Sequence, residues 1–195
     1  MRGLEQIPWL YDALFALIDR TGLGKWRKWL ATGAQGRTLE VGCGTGRNLG
    51  FYPPGVHAIG LELSADNLRA ARRRSPATPL VRATAEALPF RDGVFQTVVS
   101  SLVFCSVPKP GVGLAEVRRV LSGDGQLRML EHVRARGRFK ARAQDAVQPA
   151  WTWATGGCHP NRQTVEAVQA AGFRIEENGR RENGDMRRFS ARKGT

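Results

Sequence analysis

The feature that most constrains the fold is a glycine-rich segment, Gly42–Gly46 (GCGTG), which directly follows the predicted strand Arg37–Val41. Glycine adopts left-handed backbone conformations at little steric cost and lets a ligand approach the main chain closely. Ligands of open α/β sheets bind at the carboxyl ends of strands, beside turns of this kind. The segment therefore predicts an α/β sheet with a ligand site at the end of the preceding strand.

Apolar strands alternate with helices as far as residue 131, which favours a parallel sheet with helices on both faces. Residues 178–185 join the last two strands and are too few for a crossover, so these strands are predicted to be antiparallel. The expected fold is a Rossmann-like, mostly parallel, seven-stranded sheet with an antiparallel last strand. The predicted strands are 37–41, 56–61, 80–83, 97–102, 125–131, 173–177 and 186–192. The predicted helices are 7–19, 26–30, a short helix from residue 47, 65–74, 111–121 and 164–171.

The second predicted strand is followed by a carboxylate, Glu62. It comes after Gly42 at the spacing of about 20 residues at which such folds place the acid that binds ribose hydroxyls. A dinucleotide-binding GxGxxG turn would need glycine where this chain has Arg47, and a P-loop would need a Lys-Ser or Lys-Thr pair after the glycines. The pattern GxGxG preceded by Glu40 is instead the form associated with S-adenosylmethionine (SAM).

Three further segments, 83–90, 95–101 and 116–121, complete the pattern begun by the glycine turn. With them the chain resembles the class I SAM-dependent methyltransferases, strongly over about residues 35–135 and more weakly at its ends. Within this superfamily the chain resembles the branch that includes ubiquinone/menaquinone C-methyltransferases, bacterial phosphatidylethanolamine N-methyltransferases and thiol methyltransferases. The segments that resemble the phospholipid and thiol group are 7–12, 104–107, 131–133 and 156–162.

The resemblance implies one methyltransferase domain over residues 1–195, with SAM as cofactor and S-adenosylhomocysteine as product. Within it, residues 1–34 would form a helical lid, 35–135 the SAM-binding core, and 136–195 a substrate-side loop, helix and final hairpin. The residues implied to bind the cofactor are Glu40, Gly42, Cys43, Gly44, Gly46, Asn48, Glu62, Leu63, Ala85, Glu86, Ser101 and Leu102.

Two positions depart from the family pattern. Many relatives carry aspartate at the positions of Thr84 and Gln96. Thr84 lacks the carboxylate that, in many relatives, helps to bind the adenine amino group. Gln96 is expected to affect strand capping rather than chemistry.

Methyl transfer from SAM mainly requires alignment of the acceptor atom with the methyl carbon and the sulfur, and a base is needed only for acceptors that are not already nucleophilic. His132 ends the fifth predicted strand and is the first candidate for a base or a substrate contact. His159, beside Cys158, and Tyr11, in the N-terminal helix, are the other catalytic candidates.

A loop is predicted over the site at residues 151–162, with Trp151 and Trp153 as candidate walls of an apolar pocket. Cys158 and His159, even with His132 or Cys105, match no standard zinc spacing, so no metal is expected.

The formal net charge is +13, and residues 134–142 contain five cations and no anion. Such charge suits an ordinary solvated surface, an anionic membrane or nucleic acid. The three cysteines are few and widely spaced, and neither a signal peptide nor a long apolar span is recognised, so a cytoplasmic protein, peripheral to the membrane at most, is expected.

The predicted activity is methyl transfer to a small or lipophilic acceptor, namely a thiol, a phospholipid amine or a quinone-like molecule, by a monomer or weak dimer. The alternatives are an RNA methyltransferase and a SAM-binding protein without catalysis. An NAD-dependent enzyme is disfavoured by the spacing of the glycines.

Overall fold

The structure is a computed structural model that describes residues 7–194, without the side chains of Tyr11 and Thr21. Within these residues, seven strands form one sheet, joined by six α-helices, a π-helical turn at Asp19–Leu23 and a 3-10 turn at Leu49–Phe51. The strands are β1 (Arg37–Val41), β2 (His57–Glu62), β3 (Leu80–Arg82), β4 (Phe95–Ser101), β5 (Leu121–His132), β6 (Phe173–Asn183) and β7 (Met186–Lys193). The helices are α1 (Pro8–Ile18), α2 (Gly24–Thr32), α3 (Ala65–Arg74), α4 (Pro110–Val120), α5 (Arg138–Thr155) and α6 (Thr164–Ala170).

The sheet has the strand order β3-β2-β1-β4-β5-β7-β6. Strands β1 to β5 pair in parallel, whereas β7 is antiparallel to both β5 and β6. The prediction of a mostly parallel, seven-stranded sheet with an antiparallel last strand is therefore confirmed. Because β1 pairs with β2 on one side and β4 on the other, the chain reverses its direction of winding between β1 and β4, which is where open α/β sheets form their crevice.

Both faces of the sheet are covered by helices. Alternate residues of a strand point to opposite faces. On one face Leu39 of β1 packs with Val117 of α4 and Val168 of α6, and on the other Val99 of β4 packs with Leu30 of α2. All five side chains are fully buried, which explains why the strands contain nearly continuous apolar runs.

The prediction of a loop at residues 151–162 is wrong over its first part, because Trp151 and Trp153 lie in the last turn of α5. This helix has a weak apolar period, contains Pro149 and buries only Ala141 and Thr155 completely, so its sequence lacks the usual stripe of a packed helix. In the described part of the chain, no helix combines the length and the apolar character needed to span a bilayer.

The short α-helix expected from residue 47 is also absent from the described chain. A turn and the 3-10 turn Leu49–Phe51 take its place. Pro53 and Pro54 follow at once, and a proline restricts the residue before it to extended conformations, so no longer helix can form there.

Candidate functional site

A cavity of about 850 Å³ lies at the carboxyl edge of the sheet. The last residues of four neighbouring strands line it, namely Val41 of β1, Glu62 of β2, Ser101 of β4 and His132 of β5. The cavity therefore occupies the crevice that the strand order creates.

The glycine turn forms part of the cavity wall. Gly42 has φ +64°, and a Cβ atom there would lie 2.4 Å from a methyl carbon of Val103, so a larger residue is excluded by both backbone and packing. Gly44 has φ +54°, but a Cβ atom there would have no heavy atom within 4 Å. The middle of the turn thus presents bare main chain to open space, as a close approach by a ligand requires.

The carboxylate of Glu62 holds this turn in position. It accepts hydrogen bonds from the backbone N–H groups of Gly44, at 3.0 Å, and Ser64, at 2.8 Å. The N–H of Cys43 also donates to the carbonyl oxygen of Leu61, at 2.9 Å. An ionised carboxylate has about four lone-pair positions, so Glu62 retains acceptor capacity toward the cavity that it lines.

A buried polar network braces the turn from behind. The carboxylate of Glu40 accepts hydrogen bonds from Asn48 Nδ2 and the Tyr52 hydroxyl, both at 2.8 Å, and burial raises the pKa of Glu40 to about 7. Asn48 Oδ1 in turn accepts from Arg27, at 3.2 Å. Glu40 and Asn48, both predicted cofactor contacts, are not among the cavity-lining residues.

Arg27 links the N-terminal helices to the sheet. Its side chain is 3% exposed and donates to Asp19, at 3.1 Å, and to the Ser101 hydroxyl, at 3.2 Å, as well as to Asn48. No local pattern singles out this residue, since a basic side chain in a short helix is usually exposed.

Leu102 is the one non-glycine residue of the described chain with a positive φ, +59°. Its N–H donates to the carbonyl oxygen of Leu130, at 2.7 Å. The left-handed conformation costs a leucine about 1–2 kcal/mol, and Leu102 lines the cavity. This strain is held by the hydrogen bond to β5 at the point where the chain leaves β4.

Seven of the twelve predicted cofactor residues line the cavity: Gly42, Gly44, Glu62, Leu63, Ala85, Ser101 and Leu102. Glu40, Cys43, Gly46, Asn48 and Glu86 are not among its lining residues. The Glu86 carboxylate accepts hydrogen bonds from the N–H of Lys109, at 2.8 Å, and the hydroxyl of Thr84, at 3.4 Å. Gln96 accepts from the N–H of Arg37, at 2.8 Å, so its side chain caps the start of β1.

His132 belongs to a cluster of polar side chains on the cavity wall. Its Nε2 atom lies 3.0 Å from Asp185 Oδ2 in the turn between β6 and β7. Burial lowers the pKa of His132, but hydrogen bonds with Cys158 and Asp185 outweigh it and hold the pKa above its usual value. The Cys158 sulfur takes hydrogen bonds from Cys105, His132 and Trp151. The interaction with Cys105 contributes most to lowering the pKa of the Cys158 thiol to about 5. The interactions with His132 and Trp151 add to this effect, and burial opposes it.

The other two catalytic candidates are placed differently. His159 is not among the cavity-lining residues, and its Nδ1 atom lies 2.7 Å from the carbonyl oxygen of Gly157, which favours a role in shaping the loop. The side chain of Tyr11 lies outside the described part of the structure. Among the described residues, no group of three or more His, Cys, Asp and Glu side chains is arranged to hold a metal ion.

A second buried carboxylate, Glu131, holds the loop between β4 and α4. Its Oε1 atom accepts hydrogen bonds from the Ser100 hydroxyl, at 3.0 Å, and from the N–H groups of Val103 and Phe104, both at 3.2 Å. Burial raises the pKa of Glu131 to about 7 despite these donors. The loop that it fixes carries Cys105 to the cavity wall.

Comparison with known proteins agrees with this geometry. Residues 39–129 match a family model described as a methyltransferase domain. The chain is 37% identical to human thiol S-methyltransferase TMT1B over 152 residues, which are 73% of this chain and 62% of that enzyme. It is 34% identical over 103 residues to the phosphatidylethanolamine N-methyltransferase of Cereibacter sphaeroides, which covers 50% of this chain and 51% of that one.

The fold also matches a solved structure. A SAM-dependent methyltransferase of Thermotoga maritima superposes with a TM-score of 0.74 and 21% identity, over 97% of both chains. The described residues thus share the fold of that protein, while the chain spans less than two thirds of the length of the two curated relatives.

Replacing Glu131 with glutamine tests the buried carboxyl by its pH dependence. Because its folded pKa, about 7, lies above the ordinary value of 4.5, the neutral form stabilises the fold at low pH and this stabilisation is lost as the pH rises through 7. We expect the stability of wild type relative to Glu131→Gln to fall by about 2 kcal/mol between pH 5 and pH 8. Urea unfolding at both pH values measures it.

Glu40 also titrates in this pH range, but it does so in both wild type and Glu131→Gln, so its contribution cancels in the difference between their unfolding free energies. Glu166→Gln, on the exposed face of α6, is the matched control and should leave the difference flat. Parallel pH profiles for wild type and Glu131→Gln would show that the Glu131 carboxyl has an ordinary pKa.

Proposed function

We propose that this chain, a member of the class I SAM-dependent methyltransferases, transfers a methyl group from SAM to a small or lipophilic acceptor. One observation carries the proposal: the glycine turn with Glu62, and the His132 cluster, line a single cavity at the carboxyl edge of the sheet. Cofactor and acceptor would therefore meet in one cavity.

The residues on the β1–β2 side fit the cofactor. The main chain at Gly44 is open to the cavity, and the Glu62 carboxylate can accept hydrogen bonds from ribose hydroxyls. Leu63 is 61% exposed and offers an apolar surface beside them for the adenine ring. Ser101 and Leu102, at the end of β4, would face the methionine part. When bound, the cofactor supplies a methyl group on a sulfonium sulfur, and this sulfur is a good leaving group.

The acceptor side is walled by apolar side chains. Phe15 and Ile18 of α1, Trp26 of α2, Val107 and Met186 line the cavity together with His132. Such walls exclude water and favour a lipophilic molecule, consistent with a thiol, a phospholipid amine or a quinone-like acceptor. In its neutral form, His132, oriented by Asp185, would take the proton of an acceptor that must be deprotonated.

The surface near the cavity suits an anionic membrane. Helices α1 and α5 both contribute cavity walls, and both expose large apolar side chains, including Trp9 at 72%, Phe139 at 88% and Trp153 at 70%. Three cations of α5, at positions 138, 140 and 142, are also exposed. Basic residues close to an anionic bilayer contribute about 1 kcal/mol each, so this face would hold the mouth of the cavity against lipid.

Calorimetric titration of Glu62→Gln tests the cofactor site. The variant should bind SAM and S-adenosylhomocysteine at least about tenfold more weakly than wild type, because one charge-assisted acceptor is lost. Glu166→Gln should bind like wild type, and NAD should not bind to any of the proteins. Wild-type affinity in a folded Glu62→Gln protein would place the cofactor elsewhere.

A variant of His132 tests whether this residue acts in turnover rather than in SAM binding. We expect His132→Ala to keep the wild-type affinity for SAM and to lose about 100-fold or more in turnover with an acceptor that needs deprotonation. His57→Ala, on the exposed start of β2, should retain both. Radiolabelled methyl transfer is measured with a small thiol, phosphatidylethanolamine vesicles, a quinol and RNA. Transfer to RNA alone, or full turnover by His132→Ala, would contradict this assignment.

Co-sedimentation with vesicles tests the membrane face. The chain should bind phosphatidylglycerol vesicles more tightly than phosphatidylcholine vesicles, and the double variant Phe139→Ala, Trp153→Ala should reduce binding at least about tenfold, because two large apolar side chains no longer enter the bilayer. Phe51→Ala removes an exposed aromatic side chain outside α1 and α5 and should have no effect. Equal binding to both lipids would remove the electrostatic part of the proposal.

A further inference from the structure

Two cysteines from separate loops meet on the cavity wall. Cys105 lies in the loop between β4 and α4, and Cys158 in the loop between α5 and α6. The loops are joined where the N–H of His159 donates to the carbonyl oxygen of Cys105, at 2.9 Å. Both residues line the cavity, and they are 2% and 4% exposed.

The neighbours of Cys158 favour the ionised form of its thiol. Cys105, His132 and Trp151 all hydrogen-bond with it, and the imidazole of His132 is held in turn by Asp185. Methyl transfer as proposed above uses His132 but not the sulfur. A cavity-facing thiolate beside a second thiol is the arrangement found at cysteines that are oxidised reversibly.

We propose that Cys158 is a site of reversible oxidation by hydroperoxides and that Cys105 converts the oxidised form into an intramolecular disulfide. Because Cys158 lines the cavity, a small oxidant would reach it through the cavity. This inference goes beyond methyl transfer and does not depend on it.

The reaction balances with the hydroperoxide as oxidant. The Cys158 thiolate attacks one peroxide oxygen, an S–O bond forms and the O–O bond breaks, and the leaving oxygen takes a proton from His132 to give an alcohol or water. The thiol of Cys105 then attacks the sulfur of the sulfenic acid. An S–S bond forms, the S–O bond breaks, and the hydroxide leaves as water with the proton of Cys105. Two electrons pass from the two thiols to the peroxide.

Cys43 supplies an internal reference. It is buried, is not among the cavity-lining residues and packs with Leu49 and Ala71. Burial, with the nearby carboxylates of Glu40 and Glu62, raises the pKa of its thiol. Cys43 should therefore stay reduced under conditions that oxidise Cys158.

Peptide mass spectrometry tests the proposal directly. Trypsin places the three cysteines on separate peptides, 38–47, 92–118 and 143–162. After treatment of the reduced full chain with equimolar hydrogen peroxide at pH 6, we expect peptides 92–118 and 143–162 to be joined by a disulfide that dithiothreitol reverses. Peptide 38–47 should carry a reduced cysteine.

Three variants separate the steps. Cys105→Ser should form no disulfide and leave a sulfenic acid at Cys158 that dimedone traps, whereas Cys43→Ser should behave like wild type. His132→Gln should slow oxidation of Cys158 at pH 6 at least about tenfold, because the thiolate loses its cationic partner. Oxidation of Cys43 before Cys158, a disulfide between two chains, or no oxidation at all would each overturn the proposal.

SAM titration of the same preparations keeps the two proposals apart. A chain that forms the disulfide but binds no SAM would lose the methyltransferase assignment and retain this one. A chain that binds SAM but is not oxidised by peroxide would retain the methyltransferase assignment and lose the proposal of reversible oxidation.

Discussion

The two hydrogen bonds that Glu62 accepts from Gly44 and Ser64 determine the shape of the β1–β2 side of the cavity. They tie the turn after β1 to the turn after β2, and these strands are neighbours in the sheet. Glu131 has the corresponding role on the other side, where it holds the loop after β4. Buried or half-buried carboxylates therefore position both loops, and backbone N–H donors offset the cost of their desolvation.

Part of the excess positive charge seen in the sequence is paired with carboxylates in the structure. Two of the five cations in residues 134–142 are paired, Arg134 with Asp145 and Arg136 with Glu182. Asp145 lies later in α5 and Glu182 lies in β6. Carboxylates outside residues 134–142 therefore neutralise part of the positive charge of this segment. The cations at 138, 140 and 142 stay exposed on α5, the helix that also exposes Phe139 and Trp153.

Local patterns predicted some elements to the residue and failed at others. Helix α3 spans Ala65–Arg74 as predicted, and the Ser64 side chain accepts from the N–H of Asn67, so the cap was visible in the sequence. Helix α5 was missed because few of its residues are buried, and a helix without an apolar stripe leaves no periodic signal. The 3-10 turn after the glycines was mistaken for the start of a helix that the following prolines cut short.

The sequence by itself determined the sheet, the glycine turn and the acid at the end of β2, because these depend on local periodicity and on glycine conformations that neighbouring residues reveal. Which residues face the cavity was decided by the tertiary structure. Glu40 and Asn48 turn inward behind the glycine turn, whereas Asp185 and Cys158 lie next to His132 from the last hairpin and from the loop after α5. Contacts between residues so far apart in the chain depend on strand register and on how the elements pack, and no local pattern records either.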